Sequence, residues 1–200
     1  GGGIMVTPGT YSVTLEKRIN GMHTTLQGPV NFEVVPLFKG ALPRKSNQII
    51  NDFRESVIAF QQDLTSTNIS LSKSLKTTNA MLRALNKASR PTKELFKKLN
   101  DTRITLLNID KELHGNSIKD EIGERSNPTA SDGGSLGWTA FGNTYGPTDE
   151  HMRLLNRVKS QLKKVKKQLY PIVNSTLPIL RNELIKTGAP WIEGQGLIKD

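Results

Sequence analysis

The sequence contains no cysteine. That excludes disulfide frameworks, thiolate zinc sites and cysteine nucleophiles together, without fixing a compartment. Long apolar runs are also missing, and none approaches the ~20 residues that a membrane-spanning helix needs. Histidine is scarce: His23, His114 and His151 stand far apart, and no HExxH or paired HxH spacing occurs. There is no GxSxG elbow, no phosphate-binding P-loop and no GxGxxG following a strand. Gly194-Gln195-Gly196 lacks the strand and helix that would give such glycines meaning. No secretory signal is seen, and the Gly1-Gly2-Gly3 start reads as an expression scar or an internal cut, so the chain is expected to be a fragment of something longer.

Apolar residues make up 35% of the 200 residues and aromatics only 6%, little for a compact globule. A chain so composed can still fold if it lines its apolar residues up as narrow seams between helices. The formal charge of +10 raises nucleic acid or an anionic surface as a partner, a matter that depends on where the charges lie.

Residues 1–38 read as strands. Tyr11, Val13 and Leu15 alternate with Thr and Ser, the period-two pattern of a half-covered strand. Asn20-Gly21 is a tight-turn dipeptide. Met22 to Gln27 extends the pairing until Gly28-Pro29 breaks it, and Val30, Phe32 and Val34 alternate in a second strand. Residues 39–45, with Gly40 and Pro43, form a linker, and residues 46–200 are helical.

In that region Ile50, Phe53, Val57, Phe60, Leu64, Leu71, Met81 and Leu85 recur at three- and four-residue spacing, with Thr67, Ser74 and Thr78 filling the gaps of one stripe over about 46–88. Ser89-Arg90-Pro91-Thr92 closes this helix and opens the next. Leu95, Leu99, Thr102, Leu106, Ile109 and Leu113 form a second stripe ending at Gly115. The stretch 115–147 reads as a long loop with a turn of helix at 117–122. Thr148-Asp149-Glu150 caps a last helix whose stripe is Leu155, Val158, Leu162, Val165, Leu169 and Ile172. Pro171 and Pro178 are expected to bend or interrupt it before Leu180 and Leu184 resume, and the tail is expected to pack through Trp191. The fold class is therefore mainly α: three long antiparallel helices in an elongated bundle behind a small β-hairpin.

Two groups of residues are candidates for ligand or partner contact. Trp138, Phe141 and Tyr145 sit among loop glycines, either as a contact platform or as pins that hold the loop down. Lys159, Lys163, Lys166 and Lys167, with Lys164, Arg153 and Arg157, flank the last stripe, either as an anion-binding face or as the solvated side of a seam. A nucleic-acid reader would add base-reaching arginines and aromatics. Here lysine dominates beside Tyr170 alone, so nucleic acid is disfavoured. The acids Asp110/Glu112 and Asp120/Glu121/Glu124 read as solvated charge near helix ends. No catalytic residue, metal or cofactor is implied.

The order of Pro8-Gly9-Thr10-Tyr11-Ser12-Val13-Thr14-Leu15, Phe32-Glu33-Val34, Gly123-Glu124-Arg125-Ser126-Asn127-Pro128-Thr129, Tyr145-Gly146-Pro147-Thr148, Leu177-Pro178 and Gly188-Ala189-Pro190-Trp191 resembles the C-terminal region of bacterial sortilin-like β-propeller proteins (glycosyl-hydrolase-like, BNR-repeat). The lysine-rich last helix and Pro171 depart from that pattern. The resemblance implies that the strands close a truncated immunoglobulin-like domain. It also implies that any glycosidase carboxylates belong to an upstream propeller, and that the location is extracytoplasmic. The function expected is a non-catalytic structural and interaction module of an exported protein. Its partners would be the parent's propeller and immunoglobulin-like domains, or a second copy through the strand edge or helices. The alternative is a module that binds glycan or anionic polymer, or part of a glycoside hydrolase whose active site lies in the propeller.

Overall fold

The computed structural model describes residues 6–37, 40, 42–124, 129–143 and 145–195, without the side chains of Ser117 and Trp138. The chain is mainly helical, with a two-stranded antiparallel hairpin followed by helices. Strand β1 (Gly9–Ile19) pairs with β2 (Met22–Val34) around Asn20-Gly21. Both turn residues have positive φ, 50° and 82°, as a two-residue type I′ turn requires to match the twist of the strands.

The expected break at Gly28-Pro29 does not occur. β2 runs through it by bulging, with register shifts between Val13 and Leu15 and between Leu15 and Glu16. Gly28 makes this feasible: its φ is 107°, and a Cβ there would lie 2.7 Å from the Val13 carbonyl oxygen. The extra residues sit unpaired on β2 while the ladder resumes on either side.

Helix α1 (Asn47–Leu85) starts at Ser46, whose side chain accepts from the Ile49 amide. Its buried residues follow the three-four stripe from Ile50 through Met81, hydroxyl positions included, which is the spacing of a coiled-coil seam. Helix α2 (Lys93–His114) is capped by Thr92 and buries Leu95, Leu99, Thr102, Leu106, Ile109 and Leu113. Helix α5 (Asp149–Pro171) follows the short helices α3 (Ser117–Glu121) and α4 (Leu136–Phe141). Thr148 and His151 cap α5 reciprocally, each accepting from the other's backbone amide.

Pro171 and Pro178 do not end the last helix. It passes through a π-helical turn at Ile172–Thr176 into α6 (Leu177–Lys186). Pro178 has no amide to give the Asn174 carbonyl, and its ring would crowd that turn. Widening to i→i+5 bonding, as in Leu177 N–H to Ile172 O, gives the ring room without a break.

Side-chain contacts fix the helix directions. Lys159 meets Ser56, and Lys166 meets Asp63, both at a separation of 103 residues, so α1 and α5 run parallel. Gln168 meets Glu112 while Lys98 meets Glu183, so α2 runs antiparallel to α5 and α6.

The apolar interior falls into two clusters. One centres on Val57, Phe60, Leu106, Ile109, Val158 and Val165. The other centres on Met81, Leu85, Leu95, Leu99 and Leu184. Ser74, Thr78 and Thr102 are buried at the level between them. Each hydroxyl donates to the carbonyl four residues back in its own helix, at 2.7, 2.8 and 2.8 Å. The layer is therefore satisfied locally and contributes no bond across the helices. The tail corrects one expectation: Ile192 takes the buried place in the second cluster, while Trp191 is 57% exposed. Ile192 packs with Leu180 and Leu184 in that cluster, and Trp191 is only partly covered.

Candidate functional site

The segment 115–147 is less of a loop than its composition suggests. A 3-10 turn at Ala130–Ser135 leads directly into α4, and Ala130, Leu136 and Ala140 are fully or almost fully buried in the first cluster. The closest approach is at Gly133. A Cβ there would stand 2.5 Å from Phe60 Cε1 and 2.8 Å from Val158 Cγ2, so only glycine lets this backbone lie flat on α1 and α5.

Phe141, at the end of α4, meets Phe53 edge to face, with ring centres 6.3 Å apart. The Arg54 guanidinium lies 5.3 Å above the Phe141 ring, within cation–π range. Tyr145 is half-buried, and its carbonyl accepts from the Lys45 amide at 2.8 Å. Trp138 lies on α4, and its side chain falls outside the described residues. So do Arg125-Ser126-Asn127-Pro128 of the 123–129 stretch.

An apolar cleft of about 1030 Å³ opens beside Phe141. One wall comes from the base of the hairpin and the linker, with Val6, Val34, Val35, Leu37, Leu42 and Pro43. Ile50, Ala140, Phe141 and Pro147 form the other. Among the described residues its charged lining is Arg44 and Arg54, with no carboxylate. Arg44 donates to Asn47 Oδ1 at 2.6 Å. Arg54 Nε is buried without a hydrogen-bond partner, which is unfavourable for a donor of a charged group. Sequence reading misses this cleft. Its walls come from residues 6–8, 34–44, 50–54 and 140–147, and the one local signal is a cation, Arg54, directly after the stripe residue Phe53.

The lysines divide into two kinds. Lys159 donates to Ser56 Oγ at 3.0 Å, and Lys166 pairs with Asp63 at 2.8 Å, so both lean across the seam onto α1. Lys163 and Lys167 are exposed and join no ion pair among the described residues. The cation brought to Phe141 is Arg54 and none of these lysines. The histidines are held locally: His23 by Glu16, His114 by Asp110, and His151 by the α5 cap. No group of three potential metal ligands gathers among the described residues, and no described helix is long and apolar enough to cross a membrane. Of the acids singled out above, Asp110 pairs with His114 and Glu112 accepts from Gln168. Hydrogen bonds from Lys98 to Glu94, and then to Glu183, raise the Lys98 pKa above its usual 10.5.

No protein-family model, curated protein or solved structure matches this chain.

Proposed function

We propose that the chain is a non-catalytic structural and interaction module: an elongated antiparallel three-helix bundle at the C-terminus of an exported sortilin-like β-propeller protein. In this reading the hairpin supplies the last strands of an immunoglobulin-like domain whose other strands lie earlier in the parent.

The observation that carries it is the two-faced hairpin. Cross-strand neighbours share a face, which places Tyr11 with Phe32, Val13 with Val30, and Ile19 with Met22 on one side, together with Leu15. The other side carries Thr10 with Glu33, Ser12 with Asn31, Glu16 with Thr25, and Arg18 with His23. Lys17 with Thr24, and Gln27 opposite Leu15, interrupt the apolar side near the turn, and its continuous part, from Tyr11 to Leu15, is the patterning of a strand pair with one face packed on a second layer. Yet Val13, Leu15, Ile19, Met22, Val30 and Phe32 are 48% to 73% exposed. A two-stranded hairpin is marginal by itself, and the helices do not supply the missing layer. A second sheet of the same domain would.

Amide hydrogen exchange tests this on the chain alone and on the full reading frame that encodes it. Protection at Tyr11–Leu15 and Val30–Phe32 is expected to rise in the longer protein. Equal exchange in both, or a reading frame with no propeller ahead of the hairpin, rejects the proposal.

A further inference from the structure

We propose that the cleft beside Phe141 binds a long-chain fatty carboxylate, with Arg54 as its head-group partner. The inference goes beyond the module reading and does not rest on it.

Three observations meet at this place. The described lining is mostly apolar, and its two charges are both cationic. Arg44 already donates to Asn47. Arg54 has no carboxylate within ion-pair reach among the described residues, and its Nε is buried without a partner. Its guanidinium carbon stands 5.3 Å from the Phe141 ring centre, which holds the cation at the cleft, and guanidinium favours carboxylate in a two-pronged geometry. Beyond it, Val35, Leu37 and Leu42 are 64%, 96% and 56% exposed. An alkyl chain leaving the head group along this wall would cover apolar surface that otherwise faces water. A polyanion fits poorly, because the described lining offers it two cations amid hydrocarbon.

Titration of the chain with a fluorescent C18 polyene acid, and in parallel with its methyl ester, tests the assignment. Saturable binding at one site per chain is expected for the acid, with the ester weaker by about tenfold, the scale of one charge-assisted contact. Arg54→Gln should reduce acid affinity to that of the ester and leave the ester unchanged. Arg54→Lys, which keeps the charge but not the two-pronged geometry, should fall between the natural chain and Arg54→Gln. Val13→Lys, on the hairpin face, should have no effect, which separates this inference from the docking of the hairpin. If Arg54→Gln fails to fold by circular dichroism, the acid-to-ester ratio of the unaltered chain decides alone. Equal affinity for acid and ester, no saturation, or binding to phosphatidylglycerol vesicles without uptake of the free acid would overturn the proposal.

Discussion

Placing a single methyl group at Gly133 tests how firmly the 130–141 segment is held. The added carbon would lie 2.5 and 2.7 Å from two ring atoms of Phe60 and 2.8 Å from a Val158 methyl. Phe60 and Val158 are 3% and 0% exposed, so neither can swing outward into solvent. Overpacking of this kind costs ~1–3 kcal/mol. Gly133 has no positive φ to protect, so the loss of unfolded-chain freedom on going to alanine returns ~0.4–1 kcal/mol. Gly133→Ala should therefore destabilise the chain by roughly 1–2 kcal/mol net. In a Phe60→Leu background two of the three obstructing atoms are gone, and the same substitution should cost less than about 1 kcal/mol. Urea unfolding followed at the helical circular-dichroism band gives both numbers, provided the denaturant slope stays unchanged. A cost within ~0.5 kcal/mol of zero in the natural background, or an equal cost in both, would show that the segment is not seated against Phe60, and the argument would fall.

Two further outcomes follow from the same interior. Thr78→Val should be neutral or stabilising by up to about 1 kcal/mol in the same unfolding assay, because the hydroxyl bonds only its own helix while a methyl would join the two apolar clusters; a loss above ~2 kcal/mol would reveal an interaction across the helices. Lys98 is held protonated by Glu94 and Glu183. Its folded pKa lies above its unfolded one, so its contribution is complete below pH 10.5 and fades as pH rises through the folded value. The difference in melting temperature between the natural chain and Lys98→Met should accordingly shrink above pH 10.5; a difference that persists there would assign the effect to packing of the lysine stem.

What the sequence makes legible is what depends on local spacing. The stripes of α1, α2 and α5 are readable because three-four periodicity survives the insertion of Thr67, Ser74, Thr78 and Thr102, small enough to be buried with their hydroxyls turned back on the helix. The turn at Asn20-Gly21 is readable because its backbone demands are met by few residue pairs. The helical character of 130–141 is not. Ala-Ser-Asp-Gly-Gly-Ser has low helix propensity, and its order comes from α1 and α5, distant in the chain. The cleft is hidden for the same reason. Phe141 is singled out by its type alone, and nothing in its neighbourhood along the chain announces Arg54 above it. At the tail Trp191 is singled out by its type, while its neighbour Ile192 is the residue buried in the second cluster.

The parallel course of α1 and α5 has a mechanical consequence. His114 lies about twenty residues along α1 from its start, so the chain must travel back roughly 30 Å before α5 can begin. The 115–147 stretch is that return strap, and it brings both helix origins to the hairpin end. There Asn47 donates to the Pro8 carbonyl, the Lys45 amide to the Tyr145 carbonyl, and Lys45 Nζ approaches Asp149 at 3.8 Å. A pull transmitted through the hairpin therefore reaches two helices at once, along their length. Their contacts would be loaded in shear, all together, instead of being peeled open one turn at a time.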